Sequence, residues 1–239
     1  MLRPLQIPQP GLAMIQTQSV SRMLGVSASV QSQNTGTGSR DQFQLMHPSL
    51  LMQRSATPIS VPPVSFSSPT QQLQYLGQKY GVVQTGSLSQ FQTEVIKAVI
   101  RVKAREHGIP EKVALGIAGN ESGWKMWSNL EKGTVIQGKN IRDGELKSTD
   151  WGVMQINDKA HGSARVFPRA KYDLEFNIDY GLSFLARQRQ KIKGDLGLGL
   201  GDWDRTVASY NLGHDPQTSK SLAIAQNYVS HVSNKTQYA

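Results

Sequence analysis

Cysteine is absent from this chain of 239 residues. Without thiols the protein has neither a disulfide scaffold nor a thiolate metal site. Its five histidines are scattered, without the paired spacing of a zinc site, so we predict no metal and no cofactor. No apolar run approaches the about 18 residues that cross a membrane, and Pro and Gln interrupt the apolar residues near the N-terminus. We therefore expect neither a membrane span nor a signal peptide.

Acidic residues are also scarce. The chain has 17 Asp and Glu against 26 Lys and Arg, which gives a formal net charge of +9. A positively charged surface attracts anionic partners and raises the rate of encounter with them. The composition therefore favours nucleic acid, a membrane surface or another charged polymer as a partner.

Acidic and aromatic residues are rarest in the N-terminal third of the chain. Residues 1–90 hold 8 of the 11 prolines, 15 Gln and 14 Ser, but one acidic residue, Asp41. A segment of this composition buries too little apolar surface to offset the loss of chain entropy on folding. We predict that residues 1–85 form a mostly disordered arm, or one that a partner orders, ahead of a single folded domain at residues 86–239.

The rest of the chain shows the periodicity of helices. Apolar residues recur at helical spacing from residue 91, and Gly108 ends that segment. Pro110 suits the first turn of a second helix, and a third helical pattern follows residue 170. Between residues 125 and 149 the pattern breaks into short β-prone pieces separated by glycines. The sequence predicts a mainly α (α+β) fold, with a helical domain and a small β or irregular lobe.

One acidic residue, Glu121, ends the second helical segment, in "LGIAGNESGW". The helix dipole disfavours negative charge at a C-terminal end and shifts a carboxyl there towards its protonated form. Trp124 and Trp127 follow closely and can shield the carboxyl from water, which raises its pKa further. A carboxyl that keeps its proton near neutral pH can act as the general acid that cleaves a glycosidic bond.

Three segments of the chain, in order and at domain-scale spacing, carry a family resemblance. They are "IAGNESGW", "STDWGVMQIND" and "VASYNLG", and the segments "FNIDYGLSFLARQ" and "NYVSHV" support them. Together they resemble the signatures of the goose-type lysozymes and soluble lytic transglycosylases over residues 91–232. The resemblance implies a lysozyme-like fold, peptidoglycan glycan strands as the substrate, and cleavage of the β-1,4 bond between N-acetylmuramic acid and N-acetylglucosamine.

The resemblance also assigns roles to individual residues. It implies one catalytic acid/base, Glu121. The residues that it implies for substrate binding, or for orienting the acid, are Ser122, Met154, Gln155, Ile156, Tyr210 and Asn211. Among them, Ser122 matches the hydroxyl that orients Glu121, and Tyr210 belongs to the pair that faces Glu121 across the cleft. Core packing is an equally good explanation of Ile156.

Two chemical outcomes stay open at this level. In the non-hydrolytic outcome, which we favour, the resemblance implies that Glu121 alone protonates the glycosidic oxygen and then accepts the proton of the sugar's 6-hydroxyl. The product is a 1,6-anhydro sugar. If water attacks instead, the site acts as a lysozyme, and a two-carboxylate mechanism needs a second acid. The candidates are Glu131, Asp143, Glu145 and Asp150. Asp150 is the best of them because it shortly precedes Gln155.

Three interpretations of the protein's function stay open. A cleaving enzyme is favoured over an inactive peptidoglycan-binding module because the Glu-Ser and Tyr-Asn pairs are intact. The third interpretation is a virion or secretion-system structural protein whose residues 1–85 bind other subunits or nucleic acid. We favour a virion-associated enzyme that opens the cell wall, in the bacterial periplasm, as a phage genome is delivered. A secretion-system enzyme is the alternative.

Overall fold

The computed structural model describes residues 66–238. The α-helices in this part of the chain are α1 (Pro69–Tyr80), α2 (Leu88–Glu106), α3 (Glu111–Ser122), α4 (Arg169–Tyr172), α5 (Leu174–Lys191), α6 (Asp204–Leu212) and α7 (Ser219–Lys235). The strands are β1 (Trp127–Asn129), β2 (Thr134–Val135), β3 (Gln137–Arg142), β4 (Glu145–Trp151) and β5 (Ile156–Asn157). The predicted mainly α, lysozyme-like fold with a small β lobe is confirmed. Within residues 66–238, no helix combines the length and apolarity needed to cross a membrane.

Helix α3 lies in the middle of the helical core. Its residues 113–119 are all buried, because small and apolar side chains let the helix pack against both α2 and α7. At Gly116 a Cβ atom would lie 2.7 Å from the carbonyl oxygen of Val232 in α7, so the close approach of these helices requires glycine. The helix ends at Gly123, which has a left-handed φ of 63°. This packing places the last turn of α3, with Glu121, at the edge of the core.

Helix α1 falls within the predicted N-terminal arm and corrects that prediction. Leu73 and Leu76 of α1 are buried in the core. The side chain of Gln72 joins α1 to the start of α5, since its Oε1 accepts the N–H of Leu174 at 2.7 Å. Residues 69–80 are therefore folded, because two leucines enter the core, α2 packs against the helix, and one amide finds a partner that lies far along the chain. The rest of the predicted arm, up to residue 65, lies outside the described residues.

The β lobe is built on a two-residue hairpin. Strands β3 and β4 pair antiparallel, and Asp143 and Gly144 turn the chain between them with positive φ at both residues. Strand β5 pairs with β4 and sets Asp150 opposite Asn157. Strands β1 and β2 form a separate two-stranded sheet. The hairpin thereby brings Asp150 next to the turn that contains Gln155.

A glycine-rich loop between α5 and α6 is held by one buried carboxylate. Asp204, at the start of α6, is fully buried. Its oxygens accept the backbone N–H groups of Leu196, Leu198 and Leu200 at 3.0, 2.8 and 3.0 Å. The alternating glycines let successive amides converge on a single side chain. The loop is thereby fastened to α6, the helix that carries Tyr210.

Candidate active site

Glu121 lies in the last turn of α3, which the ring of Trp124 covers. Trp124 has a positive φ of 57°, which is unusual for a bulky residue. Its indole N–H donates to the carbonyl oxygen of Leu115 at 2.9 Å. The ring lies so close to Gly119 that a Cβ atom there would come within 2.5 Å of it. Trp127 is buried in strand β1. The tight turn after Glu121 thus folds an aromatic ring back onto α3.

The environment of Glu121 favours its protonated form. Its side chain is half-buried, and the pKa of Glu121 is raised from 4.5 to about 7. Burial is the main cause of this rise, the hydrogen bond from Tyr228 opposes it, and the negative charge of Asp150 adds to it. A carboxyl with a pKa near 7 can donate a proton in one step and accept one in the next, both near neutral pH.

Tyr228 is the direct hydrogen-bond partner of Glu121. Its hydroxyl, on helix α7, donates to Oε1 of Glu121. Tyr228 is itself buried, and burial together with the charge of Glu121 raises its pKa well above the ordinary value, so the phenol keeps its proton. Sequence patterns did not single out this residue, and the one available signal was its place in the segment "NYVSHV".

Ser122 lies beside Glu121 in sequence but bonds elsewhere. Its hydroxyl donates to the carbonyl oxygen of Ala118 at 3.1 Å and accepts the N–H of Lys125 at 3.3 Å. Both bonds lie within the end of α3 and the turn that follows it. Ser122 thus stabilises the helix end that positions Glu121, and Tyr228 provides the hydroxyl that contacts the carboxyl.

A hydrogen bond between Tyr210 and Met154 joins the segments "VASYNLG" and "STDWGVMQIND". The hydroxyl of Tyr210 donates to the carbonyl oxygen of Met154 at 2.7 Å, and the N–H of Met154 donates to Oδ1 of Asn177 at 2.9 Å. At Gly181 a Cβ atom would lie 2.6 Å from Met154 and 3.1 Å from the Tyr210 hydroxyl. Glycine on α5 therefore lets the two motifs meet. Burial raises the pKa of Tyr210, and the charge of Glu121 adds to the rise, which places both side chains in one electrostatic environment.

The remaining predicted site residues differ in their exposure. The side chains of Met154 and Ile156 are buried at 0% and 3% exposure, so they pack in the core, and only their backbone can border a groove. Gln155 between them is half-buried, as is Asn211. The described residues give the Asn211 side chain no hydrogen-bond partner, which leaves its amide available to a ligand.

Gln155 has a strained backbone and lies near Asp150. Its φ of 46° lies in the left-handed region, which non-glycine residues seldom adopt. Its Nε2 donates to the carbonyl oxygen of Gly152 at 2.7 Å. A Cβ atom at Gly138 would lie 2.7 Å from Oε1 of Gln155 and 3.4 Å from Oδ2 of Asp150. The amide and the carboxylate therefore flank the same glycine of strand β3.

Asp150 differs from the other candidates for a second carboxylate. Glu131, Asp143 and Glu145 are exposed in the β lobe. Asp150 is half-buried, and its oxygens accept the amide groups of Asn140 at 2.9 Å and Asn157 at 2.7 Å. Burial raises the pKa of Asp150, and these two hydrogen bonds partly offset the rise. The site thus contains one carboxyl with a pKa near 7 and a second carboxylate that two amides hold in place.

Comparison with known proteins shows the family to which the chain belongs. The family model of the transglycosylase SLT domain matches residues 98–230. No curated protein and no solved structure matches the chain. The family match spans more than half of the chain and includes Glu121, Gln155, Tyr210 and Tyr228. The chain therefore belongs to the transglycosylase SLT domain family and contains a catalytic domain of the peptidoglycan-cleaving lytic transglycosylase type.

Proposed function

We propose that this protein cleaves the β-1,4 bond between N-acetylmuramic acid and N-acetylglucosamine, with Glu121 as the only acid/base. The observation that carries the proposal is the half-buried Glu121 carboxyl, with a pKa of about 7, oriented by the Tyr228 hydroxyl. Near neutral pH, comparable amounts of the protonated and ionised forms are present. One group can then perform both proton transfers of the reaction.

The first step is cleavage of the glycosidic bond. Glu121 donates its proton to the bridging oxygen, and the C1–O bond breaks with the electron pair leaving on that oxygen. Positive charge develops at C1 of the muramic acid, where the sugar's own acetamido group stabilises it. Glu121 is now an anion, and the hydroxyl of Tyr228 stabilises that anion by donating to Oε1.

The second step closes the anhydro ring. The ionised Glu121 accepts the proton of the 6-hydroxyl, and O6 forms a bond to C1. The product is a 1,6-anhydromuramic acid end, no water is consumed, and Glu121 regains its starting proton. Exclusion of water from C1 favours this outcome, and the half-buried position of Glu121 supports such exclusion.

Further residues complete the proposed site without transferring protons. Gln155 and Asn211 present amides that can bond to sugar hydroxyl and acetamido groups. Tyr210 fixes the backbone of the Met154 segment through its hydrogen bond. Residues Ser122 and Ile156 support the groove from the core side.

Hydrolysis is a second candidate function, and Asp150 is the observation that favours it. Its carboxylate is held by two amides and contributes to the raised pKa of Glu121, so it lies within the same electrostatic environment. A second carboxylate in such a position can activate a water molecule for attack on C1. The enzyme would then yield reducing ends, as a lysozyme does.

Mass spectrometry of the digestion products tests both candidates. Wild-type protein should release muropeptides with anhydro ends from purified peptidoglycan. Glu121→Gln should abolish this release and retain binding to insoluble peptidoglycan. Asp150→Asn should leave anhydro formation intact, whereas a large loss of reducing-end products in that variant would establish hydrolysis instead. Undiminished cleavage by Glu121→Gln would contradict the proposal.

The biological setting that we propose is a phage particle that opens the cell wall locally while its genome is delivered. The basic, Gln-rich and Ser-rich composition of residues 1–85 supports a role in contacts with other virion subunits or nucleic acid. An inactive wall-binding structural protein and a secretion-system enzyme are the alternatives. Proteomic detection of the chain in purified virions, with wall-cleaving activity in the same particles, is the expected result. Its absence from the particles would leave the secretion-system setting.

A further inference from the structure

A pocket outside the proposed catalytic residues opens beside the loop after strand β5. Residues 158–163 and Tyr180 of α5 border this side pocket, whose volume is about 570 Å³. Ligand pockets in proteins commonly have volumes of about 300–1,000 Å³. Glu121, Gln155 and Tyr210 do not border the side pocket, so the proposed bond cleavage leaves it without a role.

A series of aromatic rings connects the side pocket with the proposed cleft. The ring of Tyr210 contacts Phe184 at a centroid distance of 5.8 Å. Phe184 contacts His161 at 5.0 Å, and His161 contacts Tyr180 at 5.5 Å. His161 and Tyr180 both border the side pocket. The pocket therefore adjoins the Tyr210 side of the cleft, separated from it by one phenyl ring.

The charged groups around the side pocket are mainly positive. Lys159 borders it, and the guanidinium of Arg187 lies 6.0 Å from the ring of Tyr180. Both side chains are exposed, and neither forms an ion pair with a carboxylate within residues 66–238. The one bordering acid, Asp158, already accepts hydrogen bonds from the Thr149 N–H at 2.9 Å and the Trp151 indole at 3.4 Å.

His161 borders the side pocket but adds no charge to it. Burial and the nearby charge of Arg187 lower the pKa of its imidazole, so the ring is neutral at neutral pH. Its Nδ1 lies 3.0 Å from the Tyr180 hydroxyl, which fixes both rings in place. Arg187 donates to the Ser183 hydroxyl at 3.1 Å, which helps to hold its guanidinium beside the rings. Two cations that no carboxylate of residues 66–238 neutralises, beside fixed polar rings, form a surface suited to a carboxylate.

Peptidoglycan carries its negative charge away from the glycan backbone. The sugar units are neutral where the lactyl group is amide-linked, and the carboxylates belong to the peptide stems that branch from N-acetylmuramic acid. A strand bound in the cleft would extend such branches sideways. The side pocket lies beside the cleft, is of suitable volume, and has one cation, Lys159, at its border and a second, Arg187, next to Tyr180.

We propose that the side pocket binds a carboxylate of this peptide stem, so that the domain prefers peptide-bearing glycan strands to bare ones. This proposal rests on the proposed function, because it needs the glycan to lie in the cleft near Tyr210. Lys159 and Arg187 act as specificity residues, and they make no contact with the bond that is cleaved.

The test compares kcat/KM on glycan strands that bear stems with kcat/KM on the same strands after an amidase has removed the stems. Wild-type protein should favour the peptide-bearing strands at low salt by about fivefold or more, the range expected of one or two partly exposed charge contacts. The double variant Lys159→Gln/Arg187→Gln should reduce that ratio towards one. The control Lys112→Gln/Lys220→Gln removes the same charge from exposed positions on α3 and α7, and it should leave the ratio unchanged.

Several outcomes would overturn the proposal. A wild-type ratio near one would show that stems are not recognised, and an equal loss of preference in the control would assign it to overall charge. If the wild type cleaves neither substrate, the proposed function fails instead. The dissociation constants for the two kinds of strand, measured with the same variants, then decide whether the side pocket binds stems.

Discussion

Replacing Glu121 with glutamine should stabilise the folded protein at neutral and alkaline pH while it abolishes cleavage. Glutamine keeps the size of the side chain, and its oxygen can still accept the hydroxyl of Tyr228. Glutamine carries no negative charge, so burial and the nearby charge of Asp150 no longer destabilise the side chain in the folded state. The substitution therefore removes a group that we propose for proton transfer and whose ionised form disfavours folding.

The size of the effect follows from the pKa of Glu121. Folding raises this pKa from 4.5 to about 7. One pKa unit corresponds to about 1.4 kcal/mol, so ionised Glu121 lowers the free energy of unfolding by about 2–3.5 kcal/mol, where the lower figure allows for partial contact with solvent. The folded state holds this proton more tightly than the unfolded state does. The stabilising contribution is therefore complete below pH 4.5 and is lost as the pH rises through about 7.

Urea denaturation at several pH values measures this difference. The free energies of unfolding of wild-type protein and Glu121→Gln should agree near pH 4.5 and differ by about 2–3.5 kcal/mol at about pH 8, with the variant more stable. Glu94→Gln, at an exposed position of α2, serves as the control and should follow the wild type at every pH. A variant no more stable than wild type at about pH 8 would refute the raised pKa and, with it, the role of Glu121 as the acid.

Other substitutions test the remaining parts of the structure. Tyr228→Phe removes a hydrogen bond that lowers the pKa of Glu121, so the alkaline limb of the pH profile of kcat/KM should shift upwards; an unmoved limb would contradict this contact. Leu76→Ala should lower the free energy of unfolding by about 2–5 kcal/mol, since Leu76 is buried, whereas Val83→Ala, at 79% exposure, should have little effect. Asp204→Ala leaves three backbone amides without their acceptor, so it should destabilise the domain by about 3 kcal/mol or more and speed hydrogen exchange at Leu198; unchanged exchange there would refute the role of Asp204.

Sequence alone was sufficient for features that depend on local pattern. The helical periodicity, the breaks at Gly108 and Pro110, and the β-prone segment predicted a mainly α domain with a small β lobe. An apolar run of small residues that ends in a carboxyl pointed to Glu121, since such a run forms a buried helix and its last turn reaches the edge of the core. The family resemblance depended on the same short segments, and the match to residues 98–230 agrees with it.

Contacts between distant residues were decided by the tertiary structure. Tyr228 lies 107 positions from Glu121, and no pattern within either helix indicates that the two side chains meet. Ser122 is adjacent to Glu121, yet its hydroxyl bonds to Ala118 one turn earlier, because neighbouring side chains on a helix point in different directions. Helix α1 has a composition typical of disorder, and it is folded because its leucines are buried, α2 packs against it, and Gln72 binds the start of α5. Local chemistry thus singled out Glu121 as the proposed acid, whereas its pKa, its partner and its neighbouring pocket depend on which surfaces the fold brings together.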